Sequence, residues 1–508
     1  MSRPDPPASH GVRLASRPGR WVLAAAVLGS GMALLDGTVV NIALPRIGED
    51  LGASLATLQW TVNGYLLTLA GLILLGGGLG DRYGRRRVFV VGAIWFALAS
   101  ALCGIAQDSA TLIISRALQG VGGALLTPGS LSLVQATFRR EDRAKAVGAW
   151  SGLGGVAGAV GPFIGGYLVD GPGWRWIFLI NVPIAAVVVL IAQRHVPESR
   201  DRTASGSFDV TGAALAALCL AGITYALISA SGHPSPLLLV GPAALGLACG
   251  VAFVRVEQRR AHPMLPLSVF SSRLFTSINL VTLLLYAAIG GVFFTLPVQL
   301  QIAAGYSALR AGIATLPLTL LLLLLSAPAG ALAQRIGPRL LLTVGPLVTG
   351  IGLLLLTRIG PGASGYFVDV LPAVLVQGVG MSMIVAPLTA TVLASVDVTH
   401  SGIASGVNNA AARVAQLLAV AALPLAIGLS NQAYRSPHAV DTAFSKAMWI
   451  CAGLCAIAAV LALLLIPSGA LREDDGDEPR ALPECRTNCG FAAPPLEPGS
   501  TGSTRATG

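Results

Sequence analysis

Apolar stretches of about 20 residues recur along the whole chain, each long enough to cross the roughly 30 Å hydrocarbon layer of a bilayer as a helix. The runs are continuous and rich in Leu, Ala and Val. A membrane barrel would instead need segments of about 10 residues alternating with a period of two. Fourteen helical spans are predicted, at 21–44, 58–79, 88–107, 110–136, 146–169, 174–193, 209–231, 237–254, 275–303, 310–333, 340–358, 366–394, 402–430 and 444–467. Only 11% of the 508 residues are charged, where a soluble domain carries about a quarter. That is too few to cover a water-facing surface, so lipid is the expected solvent.

The net charge of +10 invites a nucleic-acid reading. The arginines instead sit between the hydrophobic runs, in the loops after even-numbered spans, as in Arg82–Arg87, Arg139–Lys145 and Arg335–Arg339. Cytoplasmic loops collect positive charge in this way, so both termini are expected in the cytoplasm and no nucleic-acid partner is expected. The first run is too long for the core of a signal peptide and lacks a cleavage site. Five cysteines lie inside apolar runs, where cysteine packs as a small hydrophobe. The other two, Cys485 and Cys489, lie in a polar C-terminal tail whose composition predicts disorder. No metal site is expected.

The expected organisation is a cytoplasmic tail (1–20), a six-helix bundle (21–195), a cytoplasmic loop (196–208), two inserted spans (209–257), a second loop (258–274), a second six-helix bundle (275–467) and a disordered tail (468–508). A weak internal repeat supports it. Gly80-Asp81-Arg82-Tyr83-Gly84-Arg85-Arg86 echoes Ala333-Gln334-Arg335-Ile336-Gly337-Pro338-Arg339, and Gln119-Gly120-Val121-Gly122 echoes Gln377-Gly378-Val379-Gly380. Duplicated bundles are common in transporters, with the binding site at mid-membrane between the copies.

The segment Gly77-Gly78-Leu79-Gly80-Asp81-Arg82-Tyr83-Gly84-Arg85-Arg86-Arg87 resembles the loop motif of the major facilitator superfamily. Leu35-Asp36-Gly37-Thr38-Val39-Val40-Asn41 resembles the first-span signature of its fourteen-span drug:proton antiporters, and Arg116-Ala117-Leu118-Gln119-Gly120 the fourth-span arginine motif. Gly148, Gly161, Pro162, Gly165 and Gly166 resemble the fifth-span antiporter motif, with Ala157 at a usual glycine position. The resemblance covers roughly 20–467. It implies an all-α membrane protein of fourteen helices, two six-helix bundles with two helices between them. It also implies a gating role for Gly77, Asp81, Arg82, Gly84, Arg85 and Arg86, with Asp81 near Ser401 and Gly402, and a leak-sealing role for the fifth-span glycines. The second copy departs from the pattern: Gln334 stands opposite Asp81, and Val374 where an arginine would echo Arg116.

Asp36 is the only acid deep inside a span, where an aspartate costs about 2.5–3.5 kcal/mol and therefore needs a partner, a cavity or a role. At about 1.5 Å per residue, Asp36, Arg116 and Tyr65 lie at similar depth and are expected around one cavity. Burial favours the protonated acid and a nearby arginine the anion, so Asp36 and Arg116 are the expected proton-coupling pair. A purely structural ion pair is the competing reading. Asn41, Tyr65, Gln119, Asn408, Asn409 and Arg413 are the expected lining of the substrate cavity; for Arg413, pairing with backbone carbonyls is the alternative.

No Gly-Lys-Ser/Thr phosphate loop surrounds either lysine, which excludes an ATP-driven pump of that design. The few histidines lie in tails or loops and form no catalytic cluster, so an enzyme is not expected. The sequence therefore reads as a proton-driven exporter of small amphipathic compounds such as drugs or antibiotics. It is expected to be monomeric, in the plasma membrane and without a cofactor. An importer of a small metabolite, or a lipid-handling protein of the same fold, is the alternative. One deep acid against two deep arginines predicts neutral, zwitterionic or monocationic substrates.

Overall fold

The computed structural model describes residues 11–200, 209–232, 235–260, 263–362, 365–396 and 401–471. The acidic tail with Cys485 and Cys489, and most of the 196–208 loop, lie outside the described residues. Fourteen helices are long and apolar enough to cross a membrane: α1 Arg17–Asp50, α2 Leu55–Tyr83, α3 Arg85–Ile105, α4 Ser109–Thr137, α5 Arg140–Asp170, α6 Trp176–His195, α7 Val210–Ala230, α8 Pro236–Arg259, α9 Arg273–Ala303, α10 Ala308–Ile336, α11 Pro338–Leu356, α12 Tyr366–Ala394, α13 Gly402–Ala426 and α14 Pro437–Leu465. The chain is thus a multi-pass membrane protein.

Capping side chains set where several spans begin, by accepting from amides that the first turn leaves unpaired. Ser54 accepts from the Thr57 amide, Asp108 from Thr111, Ser272 from Phe275 and Ser307 from Arg310. α1 starts earlier than the hydropathy suggests, at Arg17 behind the Ser16 cap. Residues ahead of it are docked: Val12 exchanges backbone hydrogen bonds with Thr137 and Arg139, and the Leu14 amide donates to Asp142.

Within the first bundle α1 packs on α4, α5 and α6, and α4 on α2 and α3; in the second, α14 packs on α9 and α11, and α12 on α10 and α11. The repeat is visible in the backbone. Gly84 (φ +110°) separates α2 from α3, and Gly337 (φ +88°) separates α10 from α11 at the equivalent turn. Only glycine takes such angles without strain. Both glycines are covered by the segment that follows the last helix of their own bundle: Glu198 lies against Gly84 and Ser468 against Gly337.

The bundles meet where α1 faces α9, α2 faces α13 and α5 faces α10. With an even number of spans, the arginine-rich loops and both described chain ends share one end of the molecule, here the basic end. At the opposite, far end the bundles are tied together. Gln59 donates to the carbonyls of Val420 (2.8 Å) and Ala421 (3.2 Å), and the Leu55 amide to Asn431 (2.7 Å). Gln301 donates to the Ile42 carbonyl (2.9 Å), while Asp170 accepts from the amides of Ala308 and Leu309. Toward the basic end α5 is open: Gly148, Ser151, Gly152 and Leu153 are exposed. The inserted helices α7 and α8 pack on each other, with α7 also lying against α2 and α13.

Candidate functional site

Five helices converge on Asp36. The carboxylate accepts from Arg116 Nη1 on α4 (2.5 Å), from Gln119 Nε2 on α4 (2.9 Å) and from Asn181 Nδ2 on α6 (3.3 Å). Ser100 on α3 accepts from both Gln119 and Asn181 and donates to the Phe178 carbonyl. Arg116 Nη1 also donates to Gln119 Oε1 (2.7 Å), and its Nε to the Thr61 carbonyl on α2 (3.1 Å). The guanidinium lies over the Tyr65 ring at 4.4 Å, within cation–π reach, and the Tyr65 hydroxyl donates to the Ala33 carbonyl.

The sequence expectation brought Asp36, Arg116 and Tyr65 together, and they are together. The expected cavity around them differs from what is found. Asp36, Arg116, Tyr65 and the expected cavity residue Gln119 are all buried, at 0%, 1%, 2% and 0% exposure. They lie on the side of α1 that packs against α4 and α6, where both Asp36 carboxylate oxygens, both Gln119 amide atoms and Arg116 Nε and Nη1 are hydrogen-bonded. Burying an ion pair this deeply is tolerable only when the remaining donors and acceptors are also satisfied. Ser100, Asn181 and Thr61 supply that, and none was singled out from sequence. Isolated small polar residues in apolar spans carry little signal.

Asn41 is also nearly buried; its Nδ2 donates to the Gly37 carbonyl. On α13, Asn408 donates to Asn279 (3.2 Å) and Thr282 (2.8 Å) of α9, tying these two helices together. Asn409 and Arg413 are half-buried, and Arg413 Nη1 donates to Gln416 Oε1 (3.2 Å).

The fifth-span glycines divide into two groups. A side chain on Gly161 would collide with Thr38 Oγ1, and one on Gly165 would meet Val39 at 3.1 Å, so α5 lies directly on α1. Thr38 donates to the Gly158 carbonyl across this contact. Gly166 and Pro162 seat the start of α10: a side chain on Gly166 would meet the Ala308 carbonyl, and one on Gly312 the Pro162 carbonyl. Gly148 has open space around it.

In the loop motif Asp81 pairs with Arg85 (2.8 Å). Arg86 donates to the Val196 carbonyl, and Glu198 accepts from the Arg86 amide. Arg82 stacks near Tyr83. The tight helix approach is made by Gly76, against the Ala124 carbonyl, while a side chain on Gly77 would lie 3.7 Å from Pro128. At the start of α13, Gly402 has open space around a side-chain position, and the Ser401 side chain lies outside the described residues.

Two six-helix bundles joined face to face, with a buried charged network in the first, define the architecture of this multi-pass membrane protein. The chain belongs to the major facilitator superfamily: the family model matches residues 26–420 and 278–487. It is 36% identical over 470 residues to the puromycin resistance protein pur8 of Streptomyces alboniger, covering 90% of this chain and 93% of that one. It is also 36% identical to the methylenomycin A resistance protein of Bacillus subtilis (82% and 90% covered) and 34% identical to the multidrug efflux pump LfrA of Mycolicibacterium smegmatis (79% and 80% covered). Among solved structures, the POT family transporter PepTSo shares the fold at a TM-score of 0.63 and 16% identity, covering 89% of this chain and 99% of that one.

Proposed function

We propose that this protein is a proton-coupled antiporter that exports small amphipathic compounds, including antibiotics, across the plasma membrane from a cytoplasmic basic end. The observation that carries the reading is the placement of Asp36. Among the described residues it is the one acid held by hydrogen bonds from two other helices of its own bundle, so adding a proton to it loosens α1, α4 and α6 at once. Tied far ends and an open α5 at the basic end fit the cytoplasm-facing state of an alternating-access cycle. The resistance and efflux functions named for the relatives support an outward direction of transport.

In the cycle, Asp36 is charged and bonded to Arg116 while the cytoplasmic side is open. Opening to the outside hydrates the network, a proton reaches Asp36, and the weakened helix contacts lower the affinity for substrate. Return to the inner state releases the proton. Each proton entering supplies about 2.3 kcal/mol per 100 mV and about 1.4 kcal/mol per pH unit, enough for a substantial gradient of a neutral substrate. No cofactor is required, because the proton gradient supplies the drive. Substrate-induced proton release from detergent-solubilised protein tests this. Wild type should release protons on adding substrate and Asp36→Asn should not; equal release from both would assign the carrier to another group.

A further inference from the structure

Mid-membrane charge in this fold resolves to one group. Asp36 and Arg116 neutralise each other inside a sealed network, so neither offers a net charge to a substrate. Arg413 stands eleven residues into α13, about 16 Å from its basic end. It is half-buried, its hydrogen-bond partner is the neutral Gln416, and its Nε is buried without an acceptor. Among the described residues no carboxylate lies within ion-pair distance of it. A guanidinium in low dielectric without a counter-charge is expensive, and a ligand that brings the missing acceptor recovers that cost.

Arg413 is also placed where a ligand would sit. Gln59 on α2 bonds to Val420 and Ala421 on α13, and Leu74 lies against Gly406, which sets the antiparallel register of the two helices. In that register Arg413 faces α2 near Leu66 and Leu67, at the seam between the bundles. One turn toward the far end, Asn63 faces the same helix. Asn63 is fully buried and both its amide nitrogen and its amide oxygen lack partners. Buried amides are nearly always hydrogen-bonded, so a group with two open positions beside an unpaired cation marks a place where polar atoms from outside the protein are accommodated.

We propose that Arg413 is the substrate-recognising charge, with Asn63 beside it, and that the substrates are amphipathic weak acids carrying one ionised oxygen, a carboxylate or an acidic phenol or enol. This rests on the export reading above and reverses the charge preference expected from sequence. There Asp36 was counted as available to a substrate; in the structure Arg116 consumes it.

The test uses the purified full chain in mildly acidic buffer, where fluorescein is a monoanion, and two xanthene dyes of similar frame, anionic fluorescein and cationic rhodamine 123, with binding read by fluorescence anisotropy. Wild type should bind fluorescein at least about tenfold more tightly. Arg413→Gln should lose about tenfold or more for fluorescein while leaving rhodamine 123 unchanged or tighter, and Arg413→Lys should retain most of the affinity. A wild type that favours rhodamine 123, or an Arg413→Gln protein with unchanged dye preference, overturns the proposal. Should Arg413→Gln fail to fold, equal binding of the two dyes to wild type and to Arg413→Lys is equally fatal. Dye movement in proteoliposomes under a proton gradient is measured separately. Arg413-dependent binding without movement would refute export and leave the site assignment standing.

Discussion

Gln119 lies one turn along α4 from Arg116 and closes a ring with it around Asp36, accepting from the arginine through Oε1 and donating to the aspartate through Nε2. The ion pair is therefore held in place from the side as well as end to end. Removing either charge strands the other in a dry interior, which costs about 3–5 kcal/mol for a buried pair. Asp36→Asn and Arg116→Gln should each lower the detergent melting temperature markedly. The double variant, in which no charge remains buried, should recover much of the loss. Additive losses in a double-mutant cycle would show that the pair contributes no coupling.

The two groups of fifth-span glycines should respond oppositely to substitution. Gly161→Leu drives a side chain into Thr38, and overpacking of this kind costs about 1–3 kcal/mol. It should separate α1 from α5 and cut export at least tenfold. Gly148→Ala meets open space and should leave stability within about 0.5 kcal/mol. Export assays and melting curves on both variants check this. A loss of export in Gly148→Ala without loss of stability would place its close contact in the outward-facing state.

The far-end closure can be trapped. Leu55 and Asn431 are joined across the two bundles by a 2.7 Å hydrogen bond. Leu55→Cys with Asn431→Cys should cross-link under mild oxidant, shift mobility on a gel after cleavage between the bundles, and stop transport until a reductant is added. Full transport by the cross-linked protein would mean that these ends never part.

The inserted hairpin carries its own testable feature. Asp209 Oδ2 and Glu257 Oε1 both point at Gly212, and neither has a hydrogen-bond donor. Arg260 pairs with the other Asp209 oxygen at 3.0 Å, and the Leu265 amide donates to the other Glu257 oxygen. Glu257→Gln supplies a donor to Asp209 and should stabilise the protein by about 1–2 kcal/mol at neutral pH. The gain should shrink in acid, where the two carboxyls already share a proton. A melting temperature that falls at pH 7 would contradict this geometry.

The fourteen spans were legible because apolar length and loop arginines are both imposed by the bilayer, independently of how the helices pack. Span 12 was read at 366–394 and is found as Tyr366–Ala394. The far end of α1 was not: the run was ended at 44, but the helix continues through Pro45 to Asp50, where an exposed Arg46–Glu49 pair replaces apolar content. The meeting of Asp36 with Arg116 followed from depth alone. Whether the pair faced a cavity or a helix could not follow, because depth along a span says nothing about rotation around it. Ser100 and Asn181 determine that rotation here, and they come from spans far apart in sequence.

The hairpin α7–α8 also makes the molecule lopsided toward lipid. α7 lies along α2 and α13, with Ala217 against Gly71 and Tyr225 beside Trp60. The seam between the bundles is therefore roofed over on that flank. On the opposite flank α5 and α10 touch near the far end, through Gly166, Pro162 and Gly312, and among the described residues no inserted helix packs on them. The flank left uncovered is thus the one on which Gly148, Ser151, Gly152, Leu153 and Gly155 of α5 are exposed.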